Sequence, residues 1–185
     1  MSYISSGVEY GLHCLLFLTR SSAAVEEASV RDLAELQGVP HDFLAKLFTK
    51  LVKAGLVVST EGVKGGVRLA RLPERITVHD VIVAIDGDKS LFDCREIRGR
   101  CAVFDSNAPA WATRGVCSID AVMQLAEKAM RAELKQHTLA DLAQRTNDKA
   151  PAAFGGQVVT WLNDRATNRR GDKPESTGAK TRKRA

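Results

Sequence analysis

A chain of 185 residues with 44% hydrophobic and 26% charged residues is long enough for one ordinary domain with appendages, and apolar enough to bury a core. Its formal net charge of +5 is unevenly placed, because eight Lys/Arg stand against two acidic residues from Arg165 onward while the remainder carries 19 basic and 20 acidic residues. Basicity is therefore a property of the C-terminus and is no evidence that the body binds nucleic acid.

No apolar run approaches the roughly 18–20 residues that span a bilayer. The N-terminus lacks the basic region, apolar segment and cleavage site of a secretory signal, so a cytoplasmic protein with no membrane partner is expected. In that compartment the four cysteines are expected as reduced thiols, metal ligands or redox sensors rather than structural disulfides.

The first helix is expected over Ser5–Arg20, with Val8, Leu12, Leu15, Leu16 and Leu18 on its apolar side. Ser29-x-x-Asp32 is a capping pattern that opens a second helix through Leu33 and Leu36, ending in a turn at Gly38. Pro40 pre-sets φ for a third helix, where Leu44, Leu47, Phe48 and Leu51 make an apolar stripe and Lys46, Lys50 and Lys53 fall away from it. Ala54-Gly55 ends that helix. Leu56–Ser59 and Val67–Ala70 suit a pleated surface and flank the Lys64-Gly65-Gly66 turn, and a capped helix follows through Gly87. Helix, turn, helix, hairpin and helix in this order describe a winged helix-turn-helix, whose third helix enters the major groove while the wing touches the flank. The expected DNA contacts are Pro40, His41, Asp42, Lys46 and Lys50 on the helix, and Ser59, Thr60, Lys64 and Gly65 on the wing.

Residues 91–116 lack periodicity and read as a long loop that orders on binding. Cys117-Ser118 opens a long helix through about Gln136, and the apolar spacing of Ile119, Val122, Leu125 and Met130 calls for a partner, for which a second copy of the chain is the economical choice. Thr138-x-x-Asp141 caps a short helix, and 154–162 reads as a small apolar segment holding Trp161. The division is 1–88 DNA-binding, 89–117 cysteine loop, 118–146 dimerisation region, 147–164 short C-terminal segment and 165–185 a basic disordered tail that either adds phosphate contacts or serves solubility. The fold class is mainly α with a small β-hairpin wing, plus a long dimerisation helix.

Cys94, Cys101 and Cys117 match neither a zinc finger nor a ferredoxin repeat, and spacing alone leaves them as ligands or incidental thiols. Glu9 and His13, four apart, project from one face of the first helix, either as a metal-donor pair or as a surface Glu–His hydrogen bond. Cys14 points about 100° away from His13 and reads as a small buried residue.

The segments ISSGVEYGLHCLLFL, PHDFLAKLFTKLVKAGLV, GVKGGVRLAR and ITVHDVIVAIDG, followed by a cysteine loop and a long helix, resemble the Rrf-two family of IscR- and NsrR-type bacterial transcription regulators over roughly Tyr3–Gln144. The resemblance implies a homodimeric winged-helix protein, acting as a repressor on a double-stranded DNA operator. It also implies an iron–sulfur cluster, because many members hold one with three cysteines that match Cys94, Cys101 and Cys117 in order. Glu-x-x-x-His on the first helix is similar to the RsrR-type subgroup of redox-sensing 2Fe–2S regulators, in which Glu and His of one subunit complete a cluster held by cysteines of the other. On that likeness Glu9 and His13 join Cys101 and Cys117, with Cys94 in reserve. Two departures stand out. The loop between the second and third cysteines is longer than in IscR or NsrR, and Glu61 stands in the wing where many relatives carry arginine.

Replacing thiolates by histidine on one iron raises cluster potential, so this ligand set suits a sensor that biases a two-state geometry. The competing readings are a cluster-free regulator acting by thiol oxidation, a zinc-held loop, and an enzyme using Cys117 at a helix start. The enzyme reading lacks an oxyanion loop or a paired base.

Overall fold

The computed structural model describes residues 3–21, 28–60 and 65–171. Its helices are α1 (Ser6–Ser21), α2 (Val30–Gln37), α3 (His41–Lys53), α4 (Val78–Asp86), α5 (Ser118–Gln136), α6 (Leu139–Asn147) and α7 (Phe154–Gly171). Strands β1 (Val57–Ser59) and β2 (Val67–Leu69) form an antiparallel hairpin between α3 and α4, with Val57 opposite Leu69 and Ser59 opposite Val67. Ala28 adds an isolated bridge to Val67, so the chain entering α2 braces the wing. This is the winged helix-turn-helix expected from the sequence, followed by a long helix.

The helix ends follow from local chemistry. Ser29 accepts from the Asp32 N–H at 3.0 Å, and Gly38 stops α2 at a left-handed φ of 71°. Thr77/Asp80 and Thr138/Asp141 each form a reciprocal capping box. Val78 N–H donates to the His137 carbonyl at 2.8 Å and Leu139 N–H to the Ile76 carbonyl at 2.9 Å. The start of α4 is thereby stitched to the α5–α6 corner.

The core gathers Leu15, Leu33, Leu44, Leu51, Leu56, Ile76, Val81 and Leu139, with Val158 and Leu162 from α7. One glycine decides how α1 sits. A Cβ at Gly11 would lie 2.5 Å from Ile85 Cδ1, so the buried Ile85 side chain packs onto α1 in the space that glycine leaves and would have to shift for a larger residue. Gly11, Cys14, Leu15 and Leu18 take the buried face of α1, which leaves Glu9 and His13 exposed on another.

Two expectations are corrected. The C-terminal segment is not a short helix followed by a disordered tail from residue 165. α7 continues to Gly171, anchored by Val158 and Leu162 and extended by Arg165, which pairs with Glu35 and lies 4.8 Å over the Trp161 ring. The rest of the expected tail, 172–185, lies outside the described residues. The cysteine loop, expected to order only on binding, is organised by its own contacts. It contains turns of 3-10 helix at Arg98–Arg100 and Ala102–Phe104, a buried Ala112, and an edge-to-face Phe104–Trp111 pair with centroids 5.8 Å apart.

Candidate functional site

Two sets of residues stand apart from the core. The first lies at the start of α3. Pro40 caps it with φ −61°, the value its ring imposes. Leu44, Leu47, Phe48 and Leu51 are buried, so the helix seats on its apolar stripe and presents its opposite side. Pro40, His41, Asp42 and Lys46 are all exposed there, and His41 Nδ1 lies 2.9 Å from Asp42 Oδ1. On the wing Ser59 and Thr60 are exposed and Gly65 is half-buried, while the Thr60 N–H donates to the Gly66 carbonyl at 3.0 Å and closes the hairpin. Lys64 and Glu61 lie outside the described residues.

Lys50 also has a partner within the chain. Its Nζ donates to the Ile85 carbonyl at 2.6 Å, near the C-terminal end of α4. Carbonyls at a helix C-terminus lack intrahelical partners and carry the negative end of the dipole. A cation one helix away is drawn there.

The second set is the cysteine loop with α1. Cys94 and Cys117 are half-buried, and Cys101 between them is exposed. Cys117 is the N-cap of α5. Cys14 is fully buried, and burial pushes its thiol up to about 12, which makes it a poor ligand and a poor nucleophile. Glu9 and His13 border a groove of about 710 Å³ between α1, α4, α5 and α6, whose apolar lining includes Val8, Leu12, Ile82 and Leu142. Neither side chain has a partner among the described residues, so the plain alternative of a Glu–His hydrogen bond is not formed. Among the described residues of one chain, no three His, Cys, Asp or Glu side chains come together to hold a metal ion. The donors are of the right chemistry for a mixed thiolate–imidazole–carboxylate site.

Sequence reasoning passed over the residues that tie these parts together. Arg131 on α5 pairs with Asp88 at 2.6 Å and Glu127 at 2.8 Å, and donates to the Lys89 carbonyl at 3.0 Å. Glu127 in turn accepts from the Leu91 N–H at 2.9 Å, which together with Arg131 holds its carboxyl below the usual range. His79 on α4 faces the same cluster, with Arg131 Nη1 at 3.3 Å from its Nε2. Burial, followed by the charges of Lys135 and Arg131, lowers its pKa against the opposing pull of Asp80 and Asp88. The Glu127-x-x-x-Arg131 spacing could have flagged the helix pair, though not its grip on the loop. Arg98, bound to Glu96 in the loop itself, had no sequence signal at all.

The long helix keeps an apolar side open. Ile119, Val122 and Leu125 are 61%, 62% and 67% exposed. Among the described residues, no helix is long and apolar enough to cross a membrane.

Comparison with known proteins places this arrangement. Residues 4–145 match the family Rrf2, described as iron-dependent transcriptional regulator. The chain is 33% identical over 133 residues to protein rrf2 of Nitratidesulfovibrio vulgaris, covering 72% of this chain and 81% of that one. It is 30% identical over 140 residues to the HTH-type transcriptional repressor NsrR of Streptomyces coelicolor, covering 76% and 82%. Among solved structures, T. potens IscR is similar with a TM-score of 0.61 at 26% identity, covering 82% of this chain and 93% of that one. CymR, the global cysteine regulator of B. subtilis, is similar with a TM-score of 0.57 at 25% identity, covering 78% and 98%.

Proposed function

The chain belongs to the Rrf2 family of DNA-binding transcriptional regulators and is not an enzyme, and on that footing we propose that it is a homodimeric repressor whose operator affinity is set by a 2Fe–2S cluster bound between protomers. The cluster would be held by loop thiolates of one protomer, from Cys94, Cys101 and Cys117, and by Glu9 and His13 of the other. When bound, such a cluster supplies a one-electron change in charge at a fixed place.

The observation that carries this reading is the state of Glu9 and His13. They are exposed, adjacent on one helix face and unpartnered at the rim of an apolar groove, and among the described residues no three donor side chains come together within one chain. A carboxylate and an imidazole left idle beside apolar surface are suited to a donor role for a second chain. The open side of α5, through Ile119, Val122 and Leu125, supports a dimer placed across that helix.

At DNA, Pro40, His41, Asp42 and Lys46 would meet the major groove, with Ser59, Thr60, Lys64 and Gly65 at the flank. Lys50 drops out of that set because Ile85 already engages it. α1 carries the donor pair and packs against both α3 and α4, so a change at Glu9 and His13 is one helix away from the reading head.

Anaerobic purification with iron and sulfide analysis tests the cluster. A red-brown protein with charge-transfer bands supports it, and His13→Ala should lose or reshape those bands while the protein stays folded. Cys14→Ala should leave them unaltered, and His13→Cys should keep iron at a lower potential, since an anionic thiolate replaces a neutral ligand. A colourless protein free of iron would instead favour thiol oxidation or zinc. The thiol reading has one observation of its own, that the loop arms bearing Cys94 and Cys117 are drawn together by shared contacts of Arg98.

A further inference from the structure

One side chain, Arg98, bonds both arms of the cysteine loop. Arg98 donates from Nε to Glu96 Oε1 at 2.7 Å and from Nη2 to Glu96 Oε2 at 2.8 Å, a two-pronged pair on the first arm of the loop. The same guanidinium reaches the last arm. Nη2 donates to the Gly115 carbonyl at 2.9 Å and the Thr113 carbonyl at 3.3 Å, and Nη1 to the Arg114 carbonyl at 3.4 Å. A planar fork with five N–H donors can serve a carboxylate and three carbonyls together, whereas the point charge of a lysine has three donors and no fixed plane.

One of the anchors, Glu96, sits in a backbone conformation that needs such support. Glu96 has φ 46°, a left-handed value uncommon outside glycine, and Gly115 has φ 68°. Each anchor is two residues from a cysteine, Glu96 from Cys94 and Gly115 from Cys117. Two residues of chain span at most roughly 7 Å. Fixing Glu96 and Gly115 on one guanidinium therefore limits where both thiols can go. Cys101 is exposed between the two 3-10 turns, and none of the carbonyls that Arg98 bonds lies next to it in the chain. Because Arg98 bonds residues two positions from each of Cys94 and Cys117, its cation lies near where either thiolate would form.

We propose that Arg98 is a positioning residue that clamps the two arms of the loop so that Cys94 and Cys117 act as the working thiol pair, with its guanidinium as their counter-charge. The role toward iron rests on the cluster reading above, while the clamp itself does not. A cation beside two thiolates favours the more negative state of whatever they bind, so removing it makes that state harder to reach.

The test uses full-length dimeric protein as wild type, Arg98→Met, Arg98→Lys and Arg95→Met. Arg95→Met removes the same charge from an exposed site in the same loop that pairs only with Asp93 at 3.3 Å. In iron-free protein, a short bis-maleimide followed by peptide mapping reports which thiols are held together, and a denaturing gel separates links within and between chains. Wild type and Arg95→Met should give mostly Cys94–Cys117 links within one chain. Arg98→Met should lose that preference several-fold and gain links to Cys101, and Arg98→Lys should resemble Arg98→Met. In protein purified anaerobically, Arg98→Met should hold less iron, and its midpoint potential should shift downward more than that of Arg95→Met. Arg98→Lys, which keeps the charge, should restore the potential without restoring the link pattern. A wild-type link pattern in Arg98→Met overturns the clamp, as does a wild type that favours links through Cys101. Absence of iron from wild type would defeat the cluster reading instead, and the link pattern would still decide the role of Arg98.

Discussion

Lys50 Nζ donates to the Ile85 carbonyl at 2.6 Å, fastening the helix that reads DNA to the end of the helix that leads into the cysteine loop. Around the same end, Asp86 accepts from the Ser5 hydroxyl at 2.6 Å and from its N–H at 2.8 Å, which places the start of α1 there too. Two residues on, Asp88 receives Arg131 from α5. α3, α1 and α5 thus meet over residues 85–89, which in the proposed regulator joins the cluster donors on α1 to the DNA-contacting helix.

Lys50→Met should therefore behave as a stability variant and not as a phosphate-contact variant. A hydrogen bond from a charged donor contributes on the order of 1.5–3 kcal/mol, so thermal melting should fall by several degrees. The dependence of operator affinity on salt should stay at its wild-type slope. Lys46→Ala should do the reverse, leaving the melt intact and reducing the salt slope by about one. His41→Ala should change which sequences are preferred.

The contrast between these two lysines marks how far sequence could be read. Both fall off the apolar stripe of α3, and periodicity reports only that they are not in the core. Which one faces a neighbouring carbonyl depends on the α3–α4 packing, a contact between residues 35 positions apart. Caps were legible because Ser29, Thr77 and Thr138 act within three residues. The loop clamp was not, because Arg98 bonds carbonyls 15–17 residues away that any residue type could supply. Likewise the contact of α7 with Glu35, 130 positions distant from Arg165, carried no local signal.

Packing at Gly11 predicts a second outcome. Gly11→Ala would put its Cβ 2.5 Å from Ile85 Cδ1, and overpacking of this kind costs about 1–3 kcal/mol despite the better helix propensity of alanine. Chemical denaturation should show the loss, and Gly11→Ala with Ile85→Val should recover part of it. Full recovery of stability in the single variant would mean that α1 and α4 are further apart.

Acid should weaken the junction through His79. Its folded pKa lies below its ordinary value of 6.5, first by burial and then by Lys135 and Arg131. The folded state thus binds fewer protons than the unfolded chain near and below pH 6.5, and stability is whole above that value. It declines as pH falls from there toward the folded pKa. Melting temperatures at pH 7.5 and 5.5 should differ less in His79→Asn than in wild type. An equal difference would remove His79 from the account.

The apolar side of α5 predicts assembly. Val122→Glu with Leu125→Glu places two charges at positions 62% and 67% exposed in the single chain. If those positions are covered by a second copy, dimer dissociation should increase by about 100-fold or more, in keeping with the few kcal/mol that central apolar contacts contribute. Sedimentation should show monomers of unchanged secondary structure, and a doubly charged variant that stays dimeric would mean that the dimer forms elsewhere.

Ligation across protomers is the central claim, and mixed dimers test it most directly. Cys117→Ala and His13→Ala protomers, each expected to be without a normal cluster alone, are co-expressed with different tags, and the mixed dimer is purified anaerobically. Donors from two chains leave one of its two sites intact, with Cys117 from the His13→Ala protomer and His13 from the Cys117→Ala protomer. The mixed dimer should then regain about half the visible absorbance and iron of wild type, with the wild-type spectrum. If each site is built within one chain, both sites of the mixed dimer are broken and no wild-type spectrum returns, which would contradict the account.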